Sequence, residues 1–272
     1  MDTALIGAAA PPSLHVMSFN MRRRLPISIR SVDRWDRRRR AVEALIRTEK
    51  PTVLGVQEAM PEQADVVAAA LGADHQRIGR GRGRDRDGRG EGCPLFWDAR
   101  RLDLLSGEQV ALSPTPHEPG SRGWGNPVPR VAVVARFRDR STSDEFVVVN
   151  THLDVFSRRS RLHAARLLRA VLTTTPGAGI ILGDMNARPG SATARELWRD
   201  GLRDAWTSAD RRLTPEWATF ADYREPRRGA RIDWIGVTDG VHVDAIGIGT
   251  FRTADGWPSD HLPVHALVRV TR

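Results

Sequence analysis

Acidic, amide and histidine side chains recur at the ends of apolar segments of this 272-residue chain. They stand at Asn20, Glu58, Asn150, Thr151, His152, Asp184, Asn186, Asp233, Ser259, Asp260 and His261. A carboxylate beside a buried strand is unfavourable unless it is paired, hydrogen-bonded or bound to a cation. One such acid usually caps a helix or satisfies a hydrogen bond in the core, but six such segment ends are hard to explain separately. If the strands are neighbours, these side chains converge on one rim.

This group is rich in hard oxygen ligands and lacks thiolates, and Cys93 is the only cysteine of the chain. Such ligands suit Mg²⁺ or Mn²⁺ better than Zn²⁺. In proteins Mg²⁺ is typically held by one or two carboxylates together with phosphate oxygens of the substrate. The chemistry predicted for the rim is therefore metal-assisted attack of water on phosphorus.

The segments that must position these side chains read as strands and helices that do not alternate strictly. Short apolar runs predict strands over residues 14–20, 53–57, 94–97, 102–110, 131–137, 146–150, 180–183, 232–237, 241–248 and 262–270. Apolar residues at helical spacing predict helices over residues 35–48, 63–71, 157–172 and 193–198. Residues 94–97 and 102–110 are predicted to be adjacent strands, and residues 79–92 and 113–129 to be loops. The mixture favours two packed sheets flanked by helices.

Composition is that of an ordinary globular protein, with 40% hydrophobic and 28% charged residues. No composition break indicates a linker, so residues 14–272 are predicted to form one domain after a loose N-terminal arm, residues 1–13. No apolar run approaches the roughly 18 residues that span a membrane, and the first residues lack the positive charge of a secretion signal. We therefore expect a cytoplasmic monomer that does not bind membranes.

The formal net charge of +9 hints at an acidic partner, nucleic acid above all. However, Lys50 is the only lysine among the 42 basic residues, which is typical of codon bias in a GC-rich genome. The arginine excess is thus either a basic track for nucleic acid, supplied by residues 22–24 and 79–92, or a composition effect without a partner.

Six motifs of this chain occur in the order in which a known superfamily carries them. They are Met17-Ser-Phe-Asn20, Val56-Gln-Glu58, Asn150-Thr-His-Leu153, Gly183-Asp-Met-Asn186, Arg231-Ile-Asp-Trp234 and Pro258-Ser-Asp-His-Leu-Pro-Val264. With them the chain resembles the endonuclease/exonuclease/phosphatase superfamily from about residue 14 to its C-terminus. The resemblance implies a four-layer α/β/β/α sandwich, in which two mixed sheets pack face to face with helices outside and the site lies at one rim.

The resemblance also implies a metal site and a group that activates water. Glu58 resembles the principal metal-ligating carboxylate, with Asn20 beside it, and Asp260 resembles a further acid of the metal site. Asp184 and Asn186 resemble the pair that positions the attacking water and the phosphate, with Asp184 as the candidate base.

Histidines and an arginine complete the site that the resemblance implies. His261 resembles the histidine that hydrogen-bonds a phosphate oxygen as negative charge builds, and Asp233 resembles the carboxylate that orients it. His152 resembles a second histidine of the site, with Glu91 as its candidate carboxylate partner. Arg130 resembles an arginine that, with Asn186 and His261, binds the substrate phosphate.

Four further residues are assigned to the cleft or to the core. Trp124 and Asn126 are candidates for lining the cleft, although an isolated loop tryptophan more often packs on the surface nearby. His163, on a predicted helix, and His265, on a predicted strand beyond the last motif, are expected to be structural.

The predicted activity is hydrolysis of a phosphodiester or phosphomonoester by in-line attack of water. A DNA or RNA nuclease needs a basic track for several backbone phosphates, whereas a phosphatase for a sugar phosphate, phosphoinositide or nucleotide needs only a small charged pocket. A catalytically inactive nucleic-acid-binding scaffold is disfavoured, because every expected catalytic residue type is present. A lipid-directed phosphodiesterase is also disfavoured, because the sequence shows no amphipathic basic helix with aromatic anchors.

Overall fold

Two mixed β-sheets lie at the centre of the protein. The computed structural model describes residues 3–83 and 89–271, and within them the two sheets have seven and six strands. The sheets pack face to face, and helices cover their outer faces. This architecture confirms the predicted four-layer α/β/β/α sandwich.

The first sheet places β1 and β2 at its centre. Its strands are β1 (Leu14–Asn20), β2 (Val53–Gln57), β3 (His75–Ile78), β4 (Leu95–Asp98), β10 (Arg211–Arg212), β12 (Val241–Ile248) and β13 (Val264–Val270). Their order across the sheet is β10-β12-β13-β1-β2-β4-β3. β1 and β2 run parallel, so their carboxyl ends meet at one edge.

The second sheet places β7 and β8 at its centre in the same way. Its strands are β5 (Leu102–Ala111), β6 (Val131–Asp139), β7 (Glu145–His152), β8 (Ala178–Asp184), β9 (Arg203–Asp204) and β11 (Asp233–Val237). Their order is β5-β6-β7-β8-β11-β9. β7 and β8 are parallel and β11 is antiparallel to β8, so the ends of β7 and β8 meet the start of β11.

Three apolar clusters separate the four layers. The helices are α1 (Trp35–Glu49), α2 (Pro61–Leu71), α3 (Arg158–Thr174), α4 (Ala192–Leu197) and α5 (Ala205–Ser208). The central cluster lies between the sheets, one outer cluster packs under α1 and α2, and the other packs under α3 and α4. β8 shows the alternation, because Ile180 and Leu182 enter the central cluster while Ile181 faces the helices. A strand buried on both faces must be apolar throughout, as this one is.

One predicted pairing is wrong. The segments over residues 94–97 and 102–110 are not adjacent strands, because β4 belongs to the first sheet and β5 to the second. The chain crosses between the sheets here, so that Trp97 and Leu102 both enter the cluster between them. The strands predicted over residues 131–137 and 146–150 correspond to β6 and β7, which are antiparallel neighbours.

Two segments predicted to lack regular structure make specific contacts. In the loop over residues 79–92, Gly81 and Ala59 both form bridges with Gly92, whereas residues 84–88 lie outside the described residues. In the N-terminal arm, the backbone N–H groups of residues 5–7 donate to the carboxylate of Glu49 at the end of α1. Residues 1–2 of that arm also lie outside the described residues.

Candidate active site

Strand register brings the predicted site residues to one edge of the sandwich. Asn20, the last residue of β1, is level with Gln57, so Glu58 follows immediately beside it. In the second sheet Asp184 is level with both His152 and Asp233. Parallel strands that end together present their last side chains at one edge, which is why segments distant in sequence meet here.

The loop before β13 adds the last two predicted residues and is fastened to the end of β1. The Ser259 hydroxyl donates to the backbone carbonyl of Asn20 at 2.7 Å. The same hydroxyl lies 3.2 Å from Asp260 Oδ1 and accepts the backbone N–H of His261 at 3.2 Å. Asp260 and His261 are therefore positioned by the strand that carries Asn20.

Asp184 is the centre of a buried hydrogen-bonded group. The Asn20 side-chain amide donates to Asp184 Oδ2 at 3.0 Å, and the Asn186 backbone N–H donates to Oδ1 at 2.9 Å. The Nε2 atoms of His152 and His261 lie 3.5 and 3.8 Å from Asp184 Oδ2. One carboxylate oxygen thus faces two imidazoles.

His261 is oriented from its other side by Asp233. The distance from His261 Nδ1 to Asp233 Oδ2 is 2.9 Å, and both side chains are buried. The Asp233 carboxylate accepts a hydrogen bond from His261 Nδ1–H, which leaves Nε2 directed towards Asp184. The structure thus contains the predicted acid–histidine pair.

The surroundings of these groups separate their pKa values. Burial raises the pKa of Asp184, and Asp233 raises it further, against the opposing effect of the two histidines. Burial lowers the pKa of His152 to about 4. Burial also opposes protonation of His261, but the charge and hydrogen bond of Asp233 raise the pKa of His261 well above its usual value. These pKa shifts favour the positively charged form of His261 and the neutral form of His152.

Glu58 and Asp260 form a second acidic pair in the same cavity. Burial opposes ionisation of Glu58, but the two histidines and hydrogen bonds from Arg23 N–H and Asn20 lower its pKa to about 2. Burial raises the pKa of Asp260, and the Glu58 charge raises it further. A positive charge nearby therefore stabilises the ionised form of each carboxylate.

The Arg22 guanidinium supplies positive charge to both acids. Its Nε lies 3.6 Å from Asp260 Oδ2, and its Nη1 lies 4.0 Å from Glu58 Oε2. Asp33 holds the same guanidinium by two hydrogen bonds of 3.1 Å. From the sequence Arg22 stands out only as part of the basic run 22–24, because its partner Asp33 is outside every motif.

A cavity of about 530 Å³ opens over these groups. Its polar wall includes Arg22, Arg23, Arg82, Glu91, Arg130 and Asn186. Its apolar wall includes Val128, Val155, Phe156, Phe220 and Ile232. Phe156 and Phe220 are exposed at the rim. The cleft thus combines arginines with an apolar side.

Glu91 lies in this cleft with partners other than the predicted one. Its carboxylate pairs with Arg82 at 2.8 Å and Arg23 at 3.4 Å, whereas the acid nearest to His152 is Asp184 among the described ion pairs. Burial raises the pKa of Glu91, against the effect of Arg82. Cys93, two residues after Glu91, is buried, and burial raises the pKa of its thiol to about 12.

Arg130 is buried at the cleft and is held from behind. Its Nε donates to Asp154 Oδ2 at 3.2 Å. Asp154 Oδ1 in turn accepts the backbone N–H groups of Phe156 and Ser157 at the start of α3. Asp154 therefore positions Arg130, the arginine predicted to bind phosphate, and its place directly after the motif Asn150-Thr-His-Leu153 was the available sequence signal.

The two candidate cleft residues of the 113–129 loop lie elsewhere. Trp124 stacks on His163 of α3 with 5.0 Å between ring centroids. Asn126 bonds within its own loop, to Gly123 N–H and the Val128 carbonyl. Neither residue is among those that line the cavity, because Trp124 packs the loop against α3 and Asn126 holds the loop in its own conformation.

Three residues around the site have left-handed backbone conformations that are uncommon for residues other than glycine. Their φ angles are 57° for Arg22, 61° for Glu58 and 46° for Asn186. Such conformations concentrate at functional sites, where surrounding contacts maintain the strain. Each follows directly after or near a strand end, where the chain turns sharply to direct a side chain into the cleft.

A two-sheet sandwich with acids, histidines and arginines at one rim is the architecture of a phosphoester hydrolase. A model of the Endonuclease/Exonuclease/phosphatase family matches residues 17–261, and the chain belongs to that family. No curated protein matches the sequence. Within the described residues, none of the helices combines the length and apolar character needed to cross a membrane.

Solved structures agree with this membership over nearly the whole chain. A family member from Bacteroides vulgatus is 27% identical with a TM-score of 0.87, covering 95% of this chain and 99% of that chain. The mannosyl-6-phosphatase of Bacteroides thetaiotaomicron is 26% identical with a TM-score of 0.86, covering 94% and 99%. The human Nocturnin catalytic domain, at 16% identity and a TM-score of 0.70 over 96% and 94%, shares the fold.

Proposed function

We propose that the protein hydrolyses phosphoester bonds with the help of Mg²⁺ or Mn²⁺. The observation that carries this proposal is the meeting of two acidic groups in one arginine-lined cleft. One group is Asp184 with its two histidines, and the other is the pair of Glu58 and Asp260. The first can move protons, and the second can hold a cation.

The residues present fit a divalent ion of this kind. Glu58 and Asp260 are hard oxygen donors whose mutual repulsion a cation relieves, and the Arg22 guanidinium already lies near both. They would hold the ion, and Asn20 would orient Glu58, to which its amide donates at 3.1 Å. When bound, the ion supplies neutralising charge for phosphate oxygens and makes water easier to deprotonate.

Asp184 is the base in this proposal. Its raised pKa favours acceptance of a proton from water, and the donors Asn20 and Asn186 hold its carboxylate in place. His261, which Asp233 orients and whose protonated form Asp233 favours, donates a hydrogen bond to a phosphate oxygen as negative charge develops there. His152 is the neutral histidine on the other side of Asp184.

Arg130, with Asn186 and His261, is proposed to bind the phosphate, and a small phosphomonoester is the substrate class that we favour. The similarity to the mannosyl-6-phosphatase supports a sugar phosphate. Rim arginines that a nucleic acid would need are engaged by acids, as Arg23 and Arg82 are by Glu91. A nuclease is the second candidate, supported by the number of arginines at the rim. Action as a cytoplasmic monomer stays a prediction.

A panel of phosphoesters tests the proposal. Hexose 6-phosphates, p-nitrophenyl phosphate, bis-p-nitrophenyl phosphate, single-stranded RNA and plasmid DNA would each be assayed with Mg²⁺, Mn²⁺ and EDTA. We expect monoester hydrolysis that EDTA abolishes and that Asp184→Asn reduces at least about 1,000-fold. His242→Gln is the control, because His242 is partly exposed and is not among the residues that line the cleft.

The outcomes separate the candidates. Cleavage of nucleic acid without monoester hydrolysis favours the nuclease. Salt-sensitive nucleic-acid binding without turnover of any substrate favours the inactive scaffold. Monoester hydrolysis that survives EDTA or Asp184→Asn contradicts the proposed mechanism.

A further inference from the structure

Away from the cleft, a second group of metal-ligand side chains is buried between the first sheet and α1. It consists of His15 on β1, His265 on β13 and Glu49 at the end of α1, all no more than 2% exposed. His15 shares the helix-facing side of β1 with Met17 and Phe19, which belong to the apolar cluster under α1 and α2. Two histidines and an acid are costly in such a place unless they do something together.

The geometry of this group suits a single transition-metal ion. His15 Nε2 lies 3.0 Å from His265 Nδ1, and His265 Nδ1 lies 3.8 Å from Glu49 Oε2. One ligand atom from each residue lies within 4.8 Å of the other two. Donor atoms around a tetrahedral Zn²⁺ with bonds of about 2.0–2.1 Å lie roughly 3.3 Å apart, so small side-chain shifts suffice.

The protons of the two imidazoles follow from their partners. The Gly7 carbonyl only accepts, so His15 Nδ1, at 2.8 Å, must be the donor and Nε2 carries a lone pair. This backbone contact through the other ring nitrogen is typical of metal-ligating histidines. His265 Nδ1 then donates to His15 Nε2, and within the described residues His265 Nε2 is buried without a partner. Without an ion the two rings are therefore joined by one proton between His265 Nδ1 and His15 Nε2, at the position that an ion would take.

Glu49 brings a negative charge that lacks a permanent positive partner. Its carboxylate accepts backbone N–H groups from Leu5, Ile6 and Gly7 at 2.7, 3.3 and 3.2 Å. In a chain with 42 basic residues, the described ion pairs give it only His265 and no arginine or lysine. A buried carboxylate with this environment is suited to a cation.

A neighbouring cavity gives an ion a way in. It measures about 320 Å³, and its walls include Leu5, Glu49 and Gly249. Gly249 is required here, because a Cβ at that position would lie 2.8 Å from His265 Nε2. The cavity reaches the group at Glu49 and has room for water beside that carboxylate.

We propose that His15 Nε2, His265 Nδ1 and Glu49 Oε2 form a structural site for Zn²⁺ or a similar borderline transition metal, distinct from the catalytic cleft. Two imidazoles, a carboxylate and a water form a donor set that Zn²⁺ and Co²⁺ favour over Mg²⁺. On binding, the proton between the rings moves from His265 Nδ1 to Nε2, so both imidazoles stay neutral. The ion fastens the N-terminal segment, α1, β1 and β13 to one another.

Metal titration of the whole protein tests this site. Metal-stripped protein in excess Mg²⁺ would be titrated with Co²⁺, whose visible absorption reports four-coordinate binding, and with Zn²⁺ during thermal unfolding. We expect one equivalent of Co²⁺ to bind and saturating Zn²⁺ to raise the melting temperature by roughly 5–10 °C. His15→Gln and His265→Gln should weaken Co²⁺ binding roughly 100-fold or more.

His242→Gln is the matched control, because His242 with Asp210 and Asp244 forms a group at the partly exposed edge of the sheet that also has metal-ligand spacing. This variant should bind Co²⁺ like the unaltered protein. Unchanged Co²⁺ binding by both His15→Gln and His265→Gln overturns the proposal, as does loss of binding in His242→Gln.

Crystals of the unaltered protein soaked in Zn²⁺ keep the test decisive if a variant does not fold. An anomalous peak about 2.0–2.1 Å from His15 Nε2 and His265 Nδ1 supports the site. Absence of that peak overturns it. Neither result depends on phosphoester turnover.

Discussion

Replacing Asn150 with leucine removes a polar contact that joins the two sheets beneath the cleft. The Asn150 side chain is fully buried on β7, in the second sheet. Its Nδ2 donates to the carbonyls of Val56, Cys93 and Pro94 at 3.0, 3.0 and 2.9 Å, all on the side of the first sheet. Its Oδ1 accepts a hydrogen bond of 2.7 Å from Gln57 Nε2.

Leucine branches at Cγ as asparagine does and is the larger side chain, so the change opens no cavity and the lost hydrogen bonds dominate the expected effect. Each net hydrogen bond contributes about 1 kcal/mol, and each buried group left without a partner costs about 1–3 kcal/mol. With two Nδ2 protons shared among three carbonyls and one bond to Oδ1, we expect the free energy of unfolding to fall by about 4 kcal/mol.

Thr151→Val is the matched control for this change. Thr151 is the next residue, is equally buried and makes one side-chain hydrogen bond, from Oγ1 to the Val131 carbonyl at 2.9 Å. Its loss should cost only about 1 kcal/mol. Unlike the bonds of Asn150, this one stays within the second sheet.

Urea unfolding, followed by tryptophan fluorescence and by circular dichroism, measures both variants. Coincident transitions establish that a single free energy describes the unfolding. A loss for Asn150→Leu no greater than that for Thr151→Val would refute the argument that this amide holds the sheets together.

Three further changes test the site and its support. Asp233→Asn should lower kcat about 100-fold or more without unfolding the chain, because it leaves His261 unoriented and removes the charge that favours its protonated form. Steady-state kinetics measures kcat and near-UV circular dichroism checks the fold. A near-normal kcat would contradict this prediction. Gly183→Ala places a Cβ 2.0 Å from a carbonyl oxygen of β7 and should cost about 3 kcal/mol or more in urea unfolding, whereas Gly190→Ala, at φ 78° in open space, should cost less. The pKa of His152 is about 4 in the folded chain against about 6.5 unfolded, so the unfolded state gains the proton first as pH falls. Urea unfolding should show that this residue lowers the free energy of unfolding by up to about 1.4 kcal/mol per pH unit between pH 6.5 and 4. If His152→Gln leaves the dependence of that free energy on pH unchanged, the dependence does not come from His152.

The convergence of the site could be predicted because it depends on strand ends. Asn20, Glu58, His152 and Asp184 follow apolar runs, and parallel pairing places such ends at one edge whatever the lengths of the intervening segments. The layers could be predicted for a related reason, since runs apolar on both faces, such as β8, require cover on both sides.

The contacts that escaped prediction join residues through space without a local pattern. Nothing near Arg22 in sequence shows that it reaches Glu58 and Asp260, since that depends on how Asp33 anchors it. Likewise, the crossing of the chain between β4 and β5 follows from packing of side chains on two sheets and not from the turn residues themselves. β3, β9 and β10 were missed because they are short or polar.

The buried position of Cys93 makes its alkylation rate a measure of local unfolding beside the cleft. A thiol that ionises only near pH 12 and is shielded from solvent resists alkylation while the chain is folded. Reagents such as iodoacetamide would then modify only those molecules in which the edge beside the cleft has come apart. Because the chain has no other cysteine, the labelling rate of the unmodified protein reports how often that edge unfolds locally. The rate can be measured with and without a ligand in the cleft.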